Sequence, residues 1–177
     1  KHRFGTNIFF LTITSLKEEM LATYPLLSNV EFEKRYPSTL VVYLTKRLPI
    51  AWVLSSGYFY AVDETGRVVD ESLESNSPLL EFDVGILTLG SDVQDRRVRS
   101  GIGILRSLGS EVKISHIFEK DSSTIQARMG NTDIFFSQTG DIEEKAATLQ
   151  IIIEGFRIKG TLPTVIDLRH EKPIITN

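Results

Sequence analysis

The sequence predicts an α+β fold. Three stretches carry apolar residues at helical spacing, and most of the remainder alternates in short runs. Those runs follow one another in groups, broken by Pro, Gly and Asp/Asn turns, rather than alternating singly with helices. The chain has 177 residues, enough for one large domain or two small ones with a real core. Hydrophobic residues make up 41% and charged residues 24%, which excludes a disordered chain. A net charge of −3 disfavours a general nucleic-acid binder, so no nucleic-acid partner is expected. There is no cysteine, which excludes disulfides and thiolate metal sites and leaves the compartment open. No apolar run approaches the roughly 20 residues needed to cross a bilayer; Ile8 to Ile13 is too short. The first residue is Lys, so the chain is expected to be cut from a longer protein.

The first clear helix is expected from Ser15. Ser15 and Glu18 have capping-box spacing, and Leu16, Met20 and Leu21 share a face. Pro25 ends it. Val30, Phe32, Lys34 and Tyr36 alternate, as do Leu40, Val42 and Leu44 after Pro37-Ser38, which gives a hairpin. Pro49 breaks the pattern. Ile50 to Leu54, Tyr58 to Val62 and Arg67 to Val69 read as strands, and Glu71 to Pro78 as a polar loop. A second helix is placed near Asp92 to Leu108 by Val98, Ile102, Leu105 and Leu108. Gly101 and Gly103 inside it suggest close packing, and Gly109 suits its C-terminal cap. Val112 to Phe118, Thr124 to Met129 and Asp133 to Ser137 are expected strands, with Gly130-Asn131 as a turn. Asp141 and Glu144 cap a third helix whose buried stripe is Ile142, Ala146, Leu149, Ile153 and Phe156. Thr164 to Arg169 is the last expected strand, followed by Pro173-Ile174-Ile175.

Nothing in this pattern supplies catalytic chemistry. His2, His116 and His170 have no second His or acid at ligand spacing, so no metal or cofactor is expected. Ser100-Gly101-Ile102-Gly103 lacks the third glycine and preceding strand of a dinucleotide site. Glu18-Glu19 and Glu143-Glu144 fall in first helical turns, where the helix dipole favours negative charge. Asp95-Arg96-Arg97 and Arg99 read as a solvated helix face. Trp52, Tyr58, Phe59 and Tyr60 read as core packing on strands. Asp167-Leu168-Arg169 closes the last strand, and a final strand often forms a sheet edge to which a second chain can add.

Three ordered blocks carry a resemblance. The first is Gly5-Thr6-Asn7-Ile8-Phe9, followed by Pro25-Leu26-Leu27-Ser28-Asn29-Val30 and Tyr36-Pro37-Ser38-Thr39-Leu40. The second is Lys46-Arg47-Leu48-Pro49-Ile50-Ala51-Trp52, with Tyr60-Ala61-Val62-Asp63 and Gly66. The third, after a long helix, is Val165-Ile166-Asp167-Leu168-Arg169. In order and spacing they resemble the extracytoplasmic region of the FtsQ/DivIB family of bacterial cell-division proteins. Two departures are Lys46, where an acid is usual, and a tail from His170 to Asn177 without an aromatic.

The resemblance implies a partial POTRA domain over residues 1–47, a helix plus β-hairpin lacking its first strand and most of its first helix. Lys1 to Thr6 would then be the end of that helix. It implies an FtsQ-type β domain over residues 48–177, a curved, mainly antiparallel sheet with flanking helices. It further implies a non-enzymatic scaffold of the divisome, anchored by one membrane helix absent from this chain. This region would be extracytoplasmic, periplasmic in a Gram-negative cell, at the division septum. FtsB/DivIC and FtsL would bind by strand addition at Thr164, Val165, Ile166, Asp167, Leu168, Arg169 and His170, with other divisome proteins on the POTRA domain. Arg169 could grip a partner carboxylate, and proline at Val165 is expected to weaken binding. The alternatives are a POTRA-type module of outer-membrane protein assembly or secretion, and a cell-wall hydrolase.

Overall fold

The computed structural model describes residues 12–76 and 78–177. The Gly5–Phe9 block, the helix end expected at Lys1 to Thr6 and His2 lie outside the described residues. The chain divides between Arg47 and Leu48 into two compact units. The fold is α+β, with a helix and β-hairpin followed by a large, mainly antiparallel sheet and flanking helices.

In the first unit, α1 (Ile13–Thr23) begins three residues earlier than its capping pattern suggests. Ser15 is not the cap. It lies inside the first turn, and its hydroxyl donates back to the Thr12 carbonyl at 3.1 Å. Strands β1 (Leu27–Arg35) and β2 (Thr39–Lys46) pair antiparallel, with Arg35 opposite Thr39 across a cis Tyr36–Pro37 bond. Val30 is fully buried, and Lys17 reaches from α1 to the Asn29 side chain at 2.7 Å.

The second unit is built on nine strands: β3 (Ala51–Ser55), β4 (Tyr58–Val62), β5 (Val68–Ser72), β6 (Leu79–Glu81), β7 (His116–Asp121), β8 (Thr124–Met129), β9 (Thr132–Ser137), β10 (Val165–Asp167) and β11 (Ile174–Thr176). Their order is β11-β10-β9-β8-β7-β6-β3-β4-β5. The pairs β10–β9, β7–β6 and β6–β3 are parallel and the other five antiparallel. Strand β6 has no forecast in the sequence, and β5 extends two residues into the expected polar loop. The strand expected from Val112 begins only at His116. Before it, Val112 and Ile114 turn inward from irregular backbone.

Strand alternation puts Val53, Tyr60, Leu80, Ile117, Ile125, Ile134 and Ile166 on one face, each at most 1% exposed. Onto this face pack α2 (Arg96–Leu108) and α3 (Ile142–Lys159), through Val98, Ile102, Leu105, Leu108, Ala146, Leu149 and Ile153. Helix α2 starts at Asp95 rather than Asp92, because the Asp95 carboxylate accepts the Arg97 amide at 2.8 Å. Arg97 is not a solvated charge. It pairs with Asp95 at 2.8 Å and Glu119 at 2.6 Å and donates to the Asp83 carbonyl, tying the helix start to the sheet. Asp141 caps α3 by accepting the Glu143 and Glu144 amides.

The two ends of the sheet differ. Beyond β5, the segment from Thr88 to Val93 covers the strand start: the Val68 amide donates to the Ser91 carbonyl, and the Gly90 amide to the Val68 carbonyl. Arg67 and Asp92 close it with a two-pronged ion pair at 2.7 and 2.9 Å. The remainder of β5 carries the exposed acids Asp70 and Glu71, a common guard against edge pairing. Strand β11 has no such cover among the described residues, and Ile174, Ile175 and Thr176 are all exposed.

Two helical glycines are opposite cases. A Cβ on Gly101 would lie 3.0 Å from Leu80 Cδ2 and 3.6 Å from Phe82 Cε2, whereas one on Gly155 would meet nothing within 4 Å. Gly101→Leu should lower the unfolding free energy by about 1–3 kcal/mol through overpacking. Gly155→Ala should raise it by about 1 kcal/mol through helix propensity. Urea denaturation of both variants measures the two signs.

Candidate partner-binding site

The residues expected to form an edge do not form one. Strand β10 lies between two neighbours, with Val165, Ile166 and Asp167 opposite Asp133, Ile134 and Phe135 on β9 and opposite Thr176, Ile175 and Ile174 on β11. The open edge therefore passes to β11. Thr164 is exposed but engaged, its amide and hydroxyl both donating to the Thr176 carbonyl at 2.9 and 3.1 Å. Ile166 and Leu168 are fully buried in the core, and His170 is exposed in the turn that follows. Lys145 of α3 holds that turn by donating to the His170 carbonyl at 2.8 Å.

Asp167 and Arg169 stand on the opposite face. Asp167 accepts the Arg169 amide at 3.0 Å and the guanidinium at 2.9 and 2.6 Å. This bidentate pairing with Arg169 holds the Asp167 carboxyl below the usual carboxylate range against the opposing effect of burial, and raises the Arg169 pKa further. The guanidinium fork expected to seize a partner carboxylate is thus already filled from within the chain. Its remaining NH1 reaches Thr124 Oγ1 at 3.5 Å.

Around this pair the sheet assembles side chains from five strands. In register across the face stand Asp167, Phe135, Gln126, Phe118, Glu81 and Leu54. Lys120 Nζ lies 4.0 Å from the Phe135 ring centre and Arg169 Cζ 5.6 Å from it. With two cations against its ring, Phe135 is 9% exposed. Beside it Arg128 and Asp133 pair at 2.9 Å, which lowers the Asp133 pKa. Trp52, Leu54, Phe59 and Phe118 continue the face as half-buried side chains. Tyr60 alone of the expected aromatic cluster is in the core, and Tyr58 is exposed. Lys120, Thr124, Gln126 and Phe135 were not among the expected site residues. They follow from the period-2 alternation of three strands, β7, β8 and β9, on the face opposite the core.

No family model matches the sequence. The chain is 18% identical over 166 residues to the cell division protein DivIB of Clostridium tetani, an alignment covering 87% of this chain and 62% of that protein. The likeness supports a distant FtsQ/DivIB-type relationship. The chain spans under two thirds of that relative's length. Among the described residues no His, Asp and Glu cluster could hold a metal, and no helix is long and apolar enough to cross a membrane. His116 is exposed at the start of β7.

Asp167→Asn should cost about 1–2 kcal/mol, the worth of a charge-assisted hydrogen bond reduced by Arg169's access to water. Because folding depresses the Asp167 pKa, this stability is present above the unfolded value of about 3.9 and is lost as pH falls through the folded value. Denaturation from pH 7 to pH 2 should show the wild type converging on the variant at the acid end.

Proposed function

We propose that this chain is the extracytoplasmic part of a non-enzymatic division scaffold. Its second unit would take an FtsB/DivIC- or FtsL-type partner by strand addition at the C-terminal end of the sheet. The first unit would be a partial POTRA domain that meets upstream division proteins, in a parent protein held at the septal membrane by one helix. The observation that carries this reading is the open β11 edge beside the Asp167–Arg169–Phe135 cluster, on a chain with a distant likeness to DivIB. An open edge offers amides and carbonyls in a row, and the neighbouring charges set register. Residues 164–170 act in this reading as the base of the site. Strand β10 supports β11, while Arg169 and His170 form its rim.

The buried position of β10 changes the informative substitution. Proline at Val165 would break a strand paired on both sides and so damage folding along with binding. Proline placed in turn at Ile174, Ile175 and Thr176 tests the edge directly. Calorimetric titration with the extracytoplasmic segment of the matching FtsB/DivIC protein should give saturable binding. Binding should be lost in the variants whose outward amide is removed, at unchanged melting temperature. Full affinity in all three folded variants would refute strand addition here.

A further inference from the structure

Helix α2 carries arginines at 96, 97, 99 and 106 and no acid, on a chain whose net charge is −3. Arg97 is tied into the sheet, but Arg99 and Arg106 are exposed. Arg99 lies in the first turn, where the helix dipole disfavours a cation. It is nevertheless held in one pose, its Nε donating to the Val93 carbonyl at 3.1 Å and its Nη2 to Gln94 Oε1 at 2.7 Å. Two turns on, Arg106 donates through Nη2 to Glu143 at 2.7 Å. Among the described residues nothing meets Arg99 Nη1, or Arg106 Nε and Nη1.

Both arginines line one hollow of about 640 Å³, together with Gly103 and with Glu64 and Thr65 from the turn after β4. A Cβ on Gly103 would make only an ordinary 3.7 Å contact with Ile142, so packing within the chain does not demand the glycine. Arg106 and Glu64 also line a second hollow, of about 600 Å³. It opens on the margin of the core through Ile50, Pro78, Leu105, Val112 and Ile114, and Lys113 adds a third cation.

The two hollows adjoin at Arg106 and differ in character, which suits a ligand of two parts. A carboxylate has two oxygens and fills one guanidinium fork, whereas a phosphate has enough for two. An apolar group beside it gains by leaving water. We infer that the hollows form one site for an amphiphile with a phosphate head and an apolar tail. The head lies between Arg99 and Arg106, and the tail lies over Ile50, Val112 and Ile114. Glu64 borders both hollows and opposes the charge of the head, which fixes a sign for the test. The site is independent of the β11 edge and of the division reading.

The probe is dodecyl phosphate below its micelle concentration, titrated into the intact isotope-labelled chain and followed by amide chemical shifts. Inorganic phosphate and uncharged dodecyl maltoside are the comparisons. Dodecyl phosphate should saturate, with shifts at Gly66, Gly103 and Ile114. Arg99→Gln combined with Arg106→Gln should weaken it about tenfold or more. Glu64→Gln, in an exposed turn, should tighten it. Inorganic phosphate that binds as tightly as the amphiphile overturns the apolar half and leaves free phosphate as the ligand. Dodecyl maltoside that binds as tightly overturns the phosphate half. No saturable shift at these amides, or weaker binding in Glu64→Gln, overturns the site.

Discussion

The second unit depends on the seating of three residues. In the sheet, strand β6 lies between the β3–β4–β5 meander and the β7–β8–β9 meander, and it is parallel to both neighbours. Parallel strands cannot be joined by a tight turn, so β6 is held by its ladders and by what lies on top of it. Leu80 is fully buried beneath Gly101 of α2, where even one added methyl would touch its side chain. Arg97 clamps the helix start to the chain just after β6 and to β7. The glycine, the leucine and the arginine together convert two small sheets into one.

The elements legible in the sequence were those with enough length to show a period. Strands β8 and β9, their Gly130 turn, and the buried stripe of α3 follow from alternation, a positive-φ glycine and helical spacing. Strand β6 is three residues, Leu-Leu-Glu, without a β-branched side chain. Its conformation is imposed by two neighbours distant in sequence, which no local pattern records. Strand β11 was readable in principle, since Ile-Ile-Thr is strongly β-forming. The edge falls there and not at Asp167-Leu168-Arg169, because the chain turns back after Arg169 and pairs β11 along β10. Ser15 shows a different failure: a hydroxyl at capping spacing can as well donate to a carbonyl of the preceding turn.

The reverse face of the sheet is where the expected and unexpected residues meet. Phe135 on this face is shielded by two cationic side chains, Lys120 and Arg169. Lys120 sets its ammonium over the ring, Nζ 4.0 Å from the centre, so the charge itself faces the π surface. Asp167 keeps Arg169 in that pose. The pair is thus a positioning device for the face, and the face reaches from the C-terminal strands to Leu54.

The unequal ends of the sheet have a topological consequence. At β5 the ladder is stopped by the chain itself, through the Ser91 and Gly90 contacts and the Arg67–Asp92 pair, and then by the acids at 70 and 71. At β11 it is open for three residues. A sheet with two free ends can propagate from molecule to molecule. Here the β5 end, covered at its start and acidic beyond, opposes such growth.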